Sequence, residues 1–513
     1  MYNKSNQIIN NIYTMKLFFL SFVFLISLLF SYSIFAEPWI DSSDIYLKAN
    51  IQQLADAGFI LTPTTTYPLM WNDIMRDIKK IDISKLNKNQ NKAYFYIYHQ
   101  AKLAKHNLTT LKTSIASKNN RFTSFGDSFR DKNSIQIESR FMIDNFAAKF
   151  SNTYVSSPSD DKKFRFDGSY VATFVGNWVI SLGKQDRWFG PTWDTSFSLS
   201  NNARPIPALA ISRKSAIPFQ IPFTEIDIPW TLTSFFGKMD DKRIVNNTLL
   251  WGFRANFKPL PNLEIGLSRL AQWGGVGHSK NLSTFKDVLI GRTNCGVDDL
   301  ICNEEHPNPA NQQAGYDFRY SFNLFSLPIA LYGQKFAEDG SQGKFRYITK
   351  ANPQFGLDVH LSLFSIPSTV YFEYGDSLAD CGTRDNIGDC YYEHSSYATG
   401  MRYNGRTISN LYDNDTKSYV LGIISQLDTN THMSTKFRYL KLNYDNSDKA
   451  PNNPLIGNPL TSVAENVIML SNSLRYSYQQ WRFTLDSQIS HSSFKSKANN
   501  NEINLGFTLE YNL

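Results

Sequence analysis

Residues 183–194 read Gly-Lys-Gln-Asp-Arg-Trp-Phe-Gly-Pro-Thr-Trp-Asp, and residues 200–208 read Ser-Asn-Asn-Ala-Arg-Pro-Ile-Pro-Ala. These side chains suit sugar recognition. Trp188 and Trp193 offer flat apolar faces, and Arg187 and Arg204 offer forked donors for carboxylates. Asp186, Asn201 and Asn202 add polar contacts. The same composition also suits a constricted turn folded into an interior, where arginine–aspartate pairs stitch neighbouring segments. A second candidate set, Arg384, Tyr391, Tyr392, His394 and Tyr397, lies in a polar segment further on. Catalysis has little footing. There is no G-x-S-x-G elbow and no H-E-x-x-H helix. The adjacent pairs His278-Ser279, His394-Ser395 and His491-Ser492 would point to opposite faces of a strand. The sequence is read as non-enzymatic, with no cofactor, no metal and no nucleic acid expected.

The candidate residues sit in a chain built for export. Lys16 precedes an apolar run from Leu17 to Phe30, and the small Ala36 stands before Glu37, the pattern of a secretory signal cleaved after Ala36. Met15 stands directly before Lys16 and is an alternative start. Residues 1–36 carry Lys4 and Lys16 and no acids, so the formal net charge of +7 becomes +5 after cleavage. Such a mild excess is compatible with an acidic polysaccharide or with lipid headgroups and selects neither. The cysteines form two close pairs, Cys295 with Cys302 and Cys381 with Cys390, in polar stretches. In an exported protein, short spacing favours a disulfide within each pair.

Two kinds of element must position these residues. Residues 37–118 are expected to form a small periplasmic helical bundle. Ser43 and Asp44 are cap-type residues, Leu47, Ile51, Leu54 and Ala55 recur at helical spacing, and Gly58 closes the pattern. A second helix is placed around 71–78 and a third over about 89–106, with Ala93, Ile97, Ala101 and Ala104 on one face. From 119 to 513 the period is two. Phe355, Leu357, Val359, Leu361 and Leu363 alternate with Gly356, Asp358, His360 and Ser362, and Ile503, Leu505, Phe507, Leu509, Tyr511 and Leu513 alternate to the end. Aromatics make up 14% of the chain and charged residues 19%, which suits strands set between lipid and a polar lumen. Alternation alone leaves a soluble sandwich open; the export signal and the apolar last strand favour an all-β transmembrane barrel, because closure pairs its edges. About 390 residues, at roughly 9–11 per spanning strand and as much again in connections, give about 18 antiparallel strands. Segments 276–315, 376–396 and 445–462 are the expected external loops, so the disulfides would brace them.

Residues 183–194 and 200–208, with Glu37-Pro38-Trp39 and Leu54-Ala55-Asp56-Ala57-Gly58, resemble the Wzi family of capsule-assembly outer-membrane proteins. The order of parts matches over essentially the whole mature chain. The resemblance implies an 18-stranded barrel with a periplasmic helical bundle and an occluded lumen. It implies a surface lectin that attaches capsular or related exported polysaccharide to the cell. The expected partners are that surface polysaccharide, outer-membrane lipid and the polysaccharide export machinery, with the chain itself a monomer. Leu513 departs from the usual aromatic terminus, and the cysteine-bearing loops match no family pattern. A diffusion porin for small solutes is the alternative, since it shares signal, alternation and barrel.

Overall fold

The computed structural model describes residues 37–106, 109–290, 310–324, 327–340, 348–383, 386–387 and 391–513. The expected signal segment, Arg384, Cys295, Cys302 and Cys390 lie outside them. Of Cys381 only the backbone is described, in the strand Asp380–Thr383, so the disulfide expectation also falls outside the described residues.

Among the described residues nineteen paired segments close into one antiparallel ring; the two-residue Phe164–Arg165 is an annex of a neighbouring strand, leaving eighteen staves. The last strand, Asn500–Asn512, closes on the first, Thr109–Ala116, with Phe507 opposite Ile115 and Tyr511 opposite Leu111. Leu513 is held too, its N–H donating to Thr109 O at 2.8 Å. Closure leaves neither strand an open edge.

The alternation resolves in favour of lipid. In the last strand Leu505 is 55% exposed while Thr508 is fully buried. In Ile348–Leu363 the apolar Phe355 and Leu357 point out, and Asp358 and His360 point in and are buried. A soluble sandwich would reverse these faces. Among the described residues no helix is long and apolar enough to cross a membrane; the strands do so instead.

Short turns at 144–145, 176–177 and 364–365 gather at one end of the barrel, and the long connections 117–132, 184–207, 377–416 and 443–464 at the other. Barrels keep short turns on the periplasmic side and long loops outside, and the C-terminus lies at the end of the short turns.

Among the described residues three α-helices, α1 (Ile45–Asp56), α2 (Trp71–Ile78) and α3 (Lys88–His106), precede the barrel. Asp44 caps α1, accepting from the N–H groups of Tyr46 and Leu47, and Gly58 follows it at φ +80°. The expected apolar stripe is present, with Ile51 and Leu54 packed in one core with Ala93 and Ile97 of α3. Yet α1 is buried on its polar sides as well, including Lys48, Asn50 and Gln52. The reason is its place inside the lumen, where Lys48 donates to Thr192 O, Asn50 to Tyr46 O of the same helix and Gln52 to Asp56 Oδ1, while both ends of the helix reach the wall. Asp44 pairs with Arg475 at 2.9 Å, and Asp56 accepts from Arg319 Nε at 2.9 Å.

Candidate functional site

The marked segment is where the wall gives way. The strands Trp178–Gly183 and Ala208–Arg213 have only six residues each, and between them the chain runs through the lumen. It is fixed there at nearly every step. Trp188 and Phe189 pair with Tyr67 and Thr66 in a two-residue ladder. Gly190 stands at φ +123°, a backbone conformation that side-chain-bearing residues rarely adopt, and a Cβ there would press on the Gln334 amide. The backbone N–H groups of Trp193 and Asp194 donate to the two oxygens of Glu373 at 2.6 and 3.0 Å, and the Trp193 indole donates to Asp358 at 2.8 Å. Asp194 receives Arg438 at 2.6 Å and the Tyr412 hydroxyl.

Lys48 of α1 completes the lock. Its ammonium donates to Thr192 O at 2.6 Å and lies 4.2 Å from the ring centre of Phe125 and 5.0 Å from those of Trp188 and Trp193. This aromatic cage supplies cation–π attraction in place of a direct counter-ion. Burial pulls the Lys48 ammonium below its ordinary range, with Glu373 acting in the opposite sense.

The candidate residues therefore face inward. Trp188 and Trp193 are fully buried, so neither is a sugar platform open to solvent. Arg204 is held by Asp167 and Asp160, each at 2.6 Å. Arg187 lies over the Phe235 ring, its guanidinium 4.6 Å from the centre, and donates to Gln185 O at 3.2 Å. Asn201 donates to Ser42 Oγ at 2.8 Å and Asn202 to Thr407 Oγ1 at 3.2 Å. Burial pushes the Asp186 carboxyl up to about 6, against the opposing pull of Arg130. These are the arginine–aspartate and tryptophan contacts of a stitched interior.

The loop set resolves the same way. Tyr391, Tyr392 and Tyr397 are buried under the loops, and Tyr391 and Tyr397 hydroxyls donate to the carbonyls of Phe336 and Gly274 at 3.3 and 3.1 Å. His394 is half-buried, its Nδ1 accepting from the N–H groups of Ser396 and Tyr397. One lumenal knot has a metal-like donor set, Asp56, Asp358 and His360. Arg319 already engages both carboxylates there, so the knot is an ion-pair network.

A cavity of about 360 Å³ opens at the external end, lined by Arg121, Asn202, Arg406, Asp413, Leu460 and Glu502 among others. Among the described residues, Asn202 is the sequence candidate that lines it. Arg406 enters from a turn whose Asn404 and Gly405 both have positive φ. Its guanidinium donates to Thr123 Oγ1 at 2.8 Å and to Asn120 O at 2.6 Å, and it forms no ion pair among the described residues. Burial first, then the nearby Arg130, lower its pKa, yet a guanidinium stays charged. The acids close by are taken: Asp131 by Arg165 at 2.5 Å and Asp160 by Arg165 and Arg204 at 2.8 and 2.6 Å. Arg121, in contrast, is paired with Glu465 at 2.7 Å. Sequence reading missed Arg406, although the Asn404-Gly405 dipeptide is a hairpin signal that would have set it at a loop tip.

Comparison with known proteins agrees with this architecture. The solved structure of Wzi of Escherichia coli superposes with a TM-score of 0.77 at 18% identity, covering 94% of this chain and all of that one. That protein is an outer-membrane protein involved in group 1 capsule assembly and a carbohydrate-binding β-barrel. An uncharacterised 55.8 kDa protein in the cps region of Klebsiella pneumoniae is 27% identical over 326 residues, which is 61% of this chain. The match spans 60% of the length of that curated relative. A family profile described as capsule assembly protein Wzi matches residues 104–505, and the chain belongs to that family.

Proposed function

We propose that this protein is an outer-membrane barrel with an occluded lumen that holds an acidic exported polysaccharide, capsular or related, at the cell surface. The observation that carries the acidic specificity is the Arg406 guanidinium, set in an external cavity without an ion-pair partner among the described residues. A sugar carboxylate would supply the missing charge through a forked pair of hydrogen bonds. Asn202 would make a neighbouring polar contact, while Asp186, Arg187, Trp188, Trp193, Asn201 and Arg204 act as positioning residues that hold the segment beneath. The role is non-enzymatic in this reading. Family membership and the barrel's likeness to a carbohydrate-binding relative support it.

The test uses acidic polysaccharide purified from the same bacterium, with its carboxyl-reduced form as control. Native protein should retain the acidic polymer on a binding column and release it on carboxyl reduction. R406Q should weaken retention about tenfold, in line with loss of one charge-assisted contact of about 1.5–3 kcal/mol partly offset by the remaining cavity. Equal retention of both polymer forms by native protein would sink the acidic reading. In cells, deletion should shift polymer from the surface to the medium at constant total.

The signal is cleaved after Ala36 and the cysteines join as Cys295–Cys302 and Cys381–Cys390 in this reading. The protein works as a monomer beside the export machinery, with outer-membrane lipid around it. Alkylation of protein taken from membranes should find no free thiol; four alkylated cysteines would overturn the pairing.

A further inference from the structure

The outer wall carries a groove of about 820 Å³ beside the place where the chain turns into the lumen. Its floor is one cross-strand row: Ala148 faces Val171, then Leu182, Leu209 and Phe236 follow strand by strand. Phe150 and Phe166, with ring centres 6.0 Å apart, raise one side. Side chains two residues on share a face. Lys184 and Lys238 therefore stand one row above Leu182 and Phe236, and both line the groove. The row is continuous, since Lys184 N–H donates to Ser169 O at 2.8 Å and Lys238 N–H to Pro207 O at 3.0 Å. The two lysines flank one intervening strand, which sets them roughly 10 Å apart.

Height makes them unusual. The strand Trp178–Gly183 starts at the periplasmic turn and has six residues. At about 3.3 Å per residue and a tilt near 40° it climbs only about 15 Å. An outer-membrane barrel's apolar belt is about 25 Å tall; Lys184, about 15 Å up from its turn, and Lys238, about 20 Å up from the start of the strand Trp230–Met239, both fall inside a belt measured from the short turns. Neither forms an ion pair among the described residues, although Lys184 lies in the field of Asp240. Asp240 itself is engaged by the Tyr403 hydroxyl and by Lys162 at 4.0 Å. A cation at that depth calls for an anion that comes with the lipid.

We propose that the groove seats an acyl chain of an anionic outer-leaflet lipid, with the lipid phosphate held between Lys184 and Lys238. The inference rests on the barrel's seat in an outer membrane but is independent of polysaccharide binding. The site would fix the short-walled sector of the barrel in the bilayer, under the loops that meet the glycan.

The experiment is native mass spectrometry of the full chain in detergent, titrated with dioleoyl phosphatidic acid and, separately, dioleoyl phosphatidylcholine. Native protein should retain the phosphatidic acid preferentially. At about 1 kcal/mol per lysine near a lipid surface, the double variant K184Q/K238Q should reduce that preference about thirtyfold, or about 2 kcal/mol. A148F, which fills the floor, should lower retention of both lipids. Both lysines point outward, so the lysine variant should keep the heat-modifiable gel shift of a folded barrel and native glycan retention. Equal retention of the two lipids by native protein, or an unchanged preference in K184Q/K238Q, overturns the proposal. R406Q should leave lipid retention unaltered, which separates failure here from failure of the glycan reading.

Discussion

Asp56 is one of the residues through which the lumenal helix α1 grips the wall, and Asp56→Ala removes that one grip. Its Oδ1 accepts from Gln52 Nε2 and from Arg319 Nε, each at 2.9 Å, and its Oδ2 engages Arg319 and, at 2.9 Å, His360 Nε2. The Arg319 guanidinium beside it holds the Asp56 carboxyl far below the usual carboxylate range, overcoming burial. Removing the carboxylate leaves Arg319 with Asp358 alone, at 2.8 Å. Breaking a buried pair from one side costs about 3–5 kcal/mol. Alanine at the last position of α1 is the better helix former by under about 0.7 kcal/mol, so helix propensity works against the loss and cannot produce it. At 1.4 kcal/mol per tenfold, the opening of α1 should become about a hundred- to a few-thousandfold easier. Hydrogen exchange followed by mass spectrometry reads this directly in peptides covering 45–56, with the strand Glu465–Tyr478 as internal reference. Protection of α1 within threefold of native would refute the argument. So would an equal loss of protection in the reference strand, because the plug would then have no stability separate from the barrel.

The lumen holds α1 and the 184–207 segment together, so native protein in planar bilayers should show little steady conductance; stable, large channels would restore the porin reading. Gly190→Ala forces a Cβ into Gln334 at a left-handed φ, and melting in detergent should report a loss of about 2–4 kcal/mol; an unchanged melting temperature would show that the segment gives way. Asp186 carries a carboxyl raised to about 6, chiefly by burial, so the fold prefers its protonated form. That contribution is fully present below the unfolded value of about 3.9 and is lost as pH rises through about 6. Asp186→Asn should therefore stabilise at pH 7 by on the order of 1–3 kcal/mol and flatten the melting profile between pH 4 and 6; a native-like profile in the variant would place the titration elsewhere.

What the sequence determined on its own was local. The Asp44 cap and the Gly58 stop bound α1 because capping chemistry acts over three or four residues. The two-residue period of Phe355 to Leu363 and of Ile503 to Leu513 marked strands, and chain length set their number near eighteen. The unusual string at 183–194 marked the segment that leaves the wall. Tertiary structure decided what each face meets. Periodicity shows that Phe355 and Asp358 lie on opposite sides, but only closure of the ring turns Phe355 to lipid and Asp358 to the lumen. Sequence could not tell whether Arg204 is free for a ligand, because Asp160 and Asp167 reach it from another loop; nor could it show that Arg406 has no such partner among the described residues. Charge compensation depends on groups far apart along the chain, and their meeting is fixed by the register of the whole barrel rather than by any one segment.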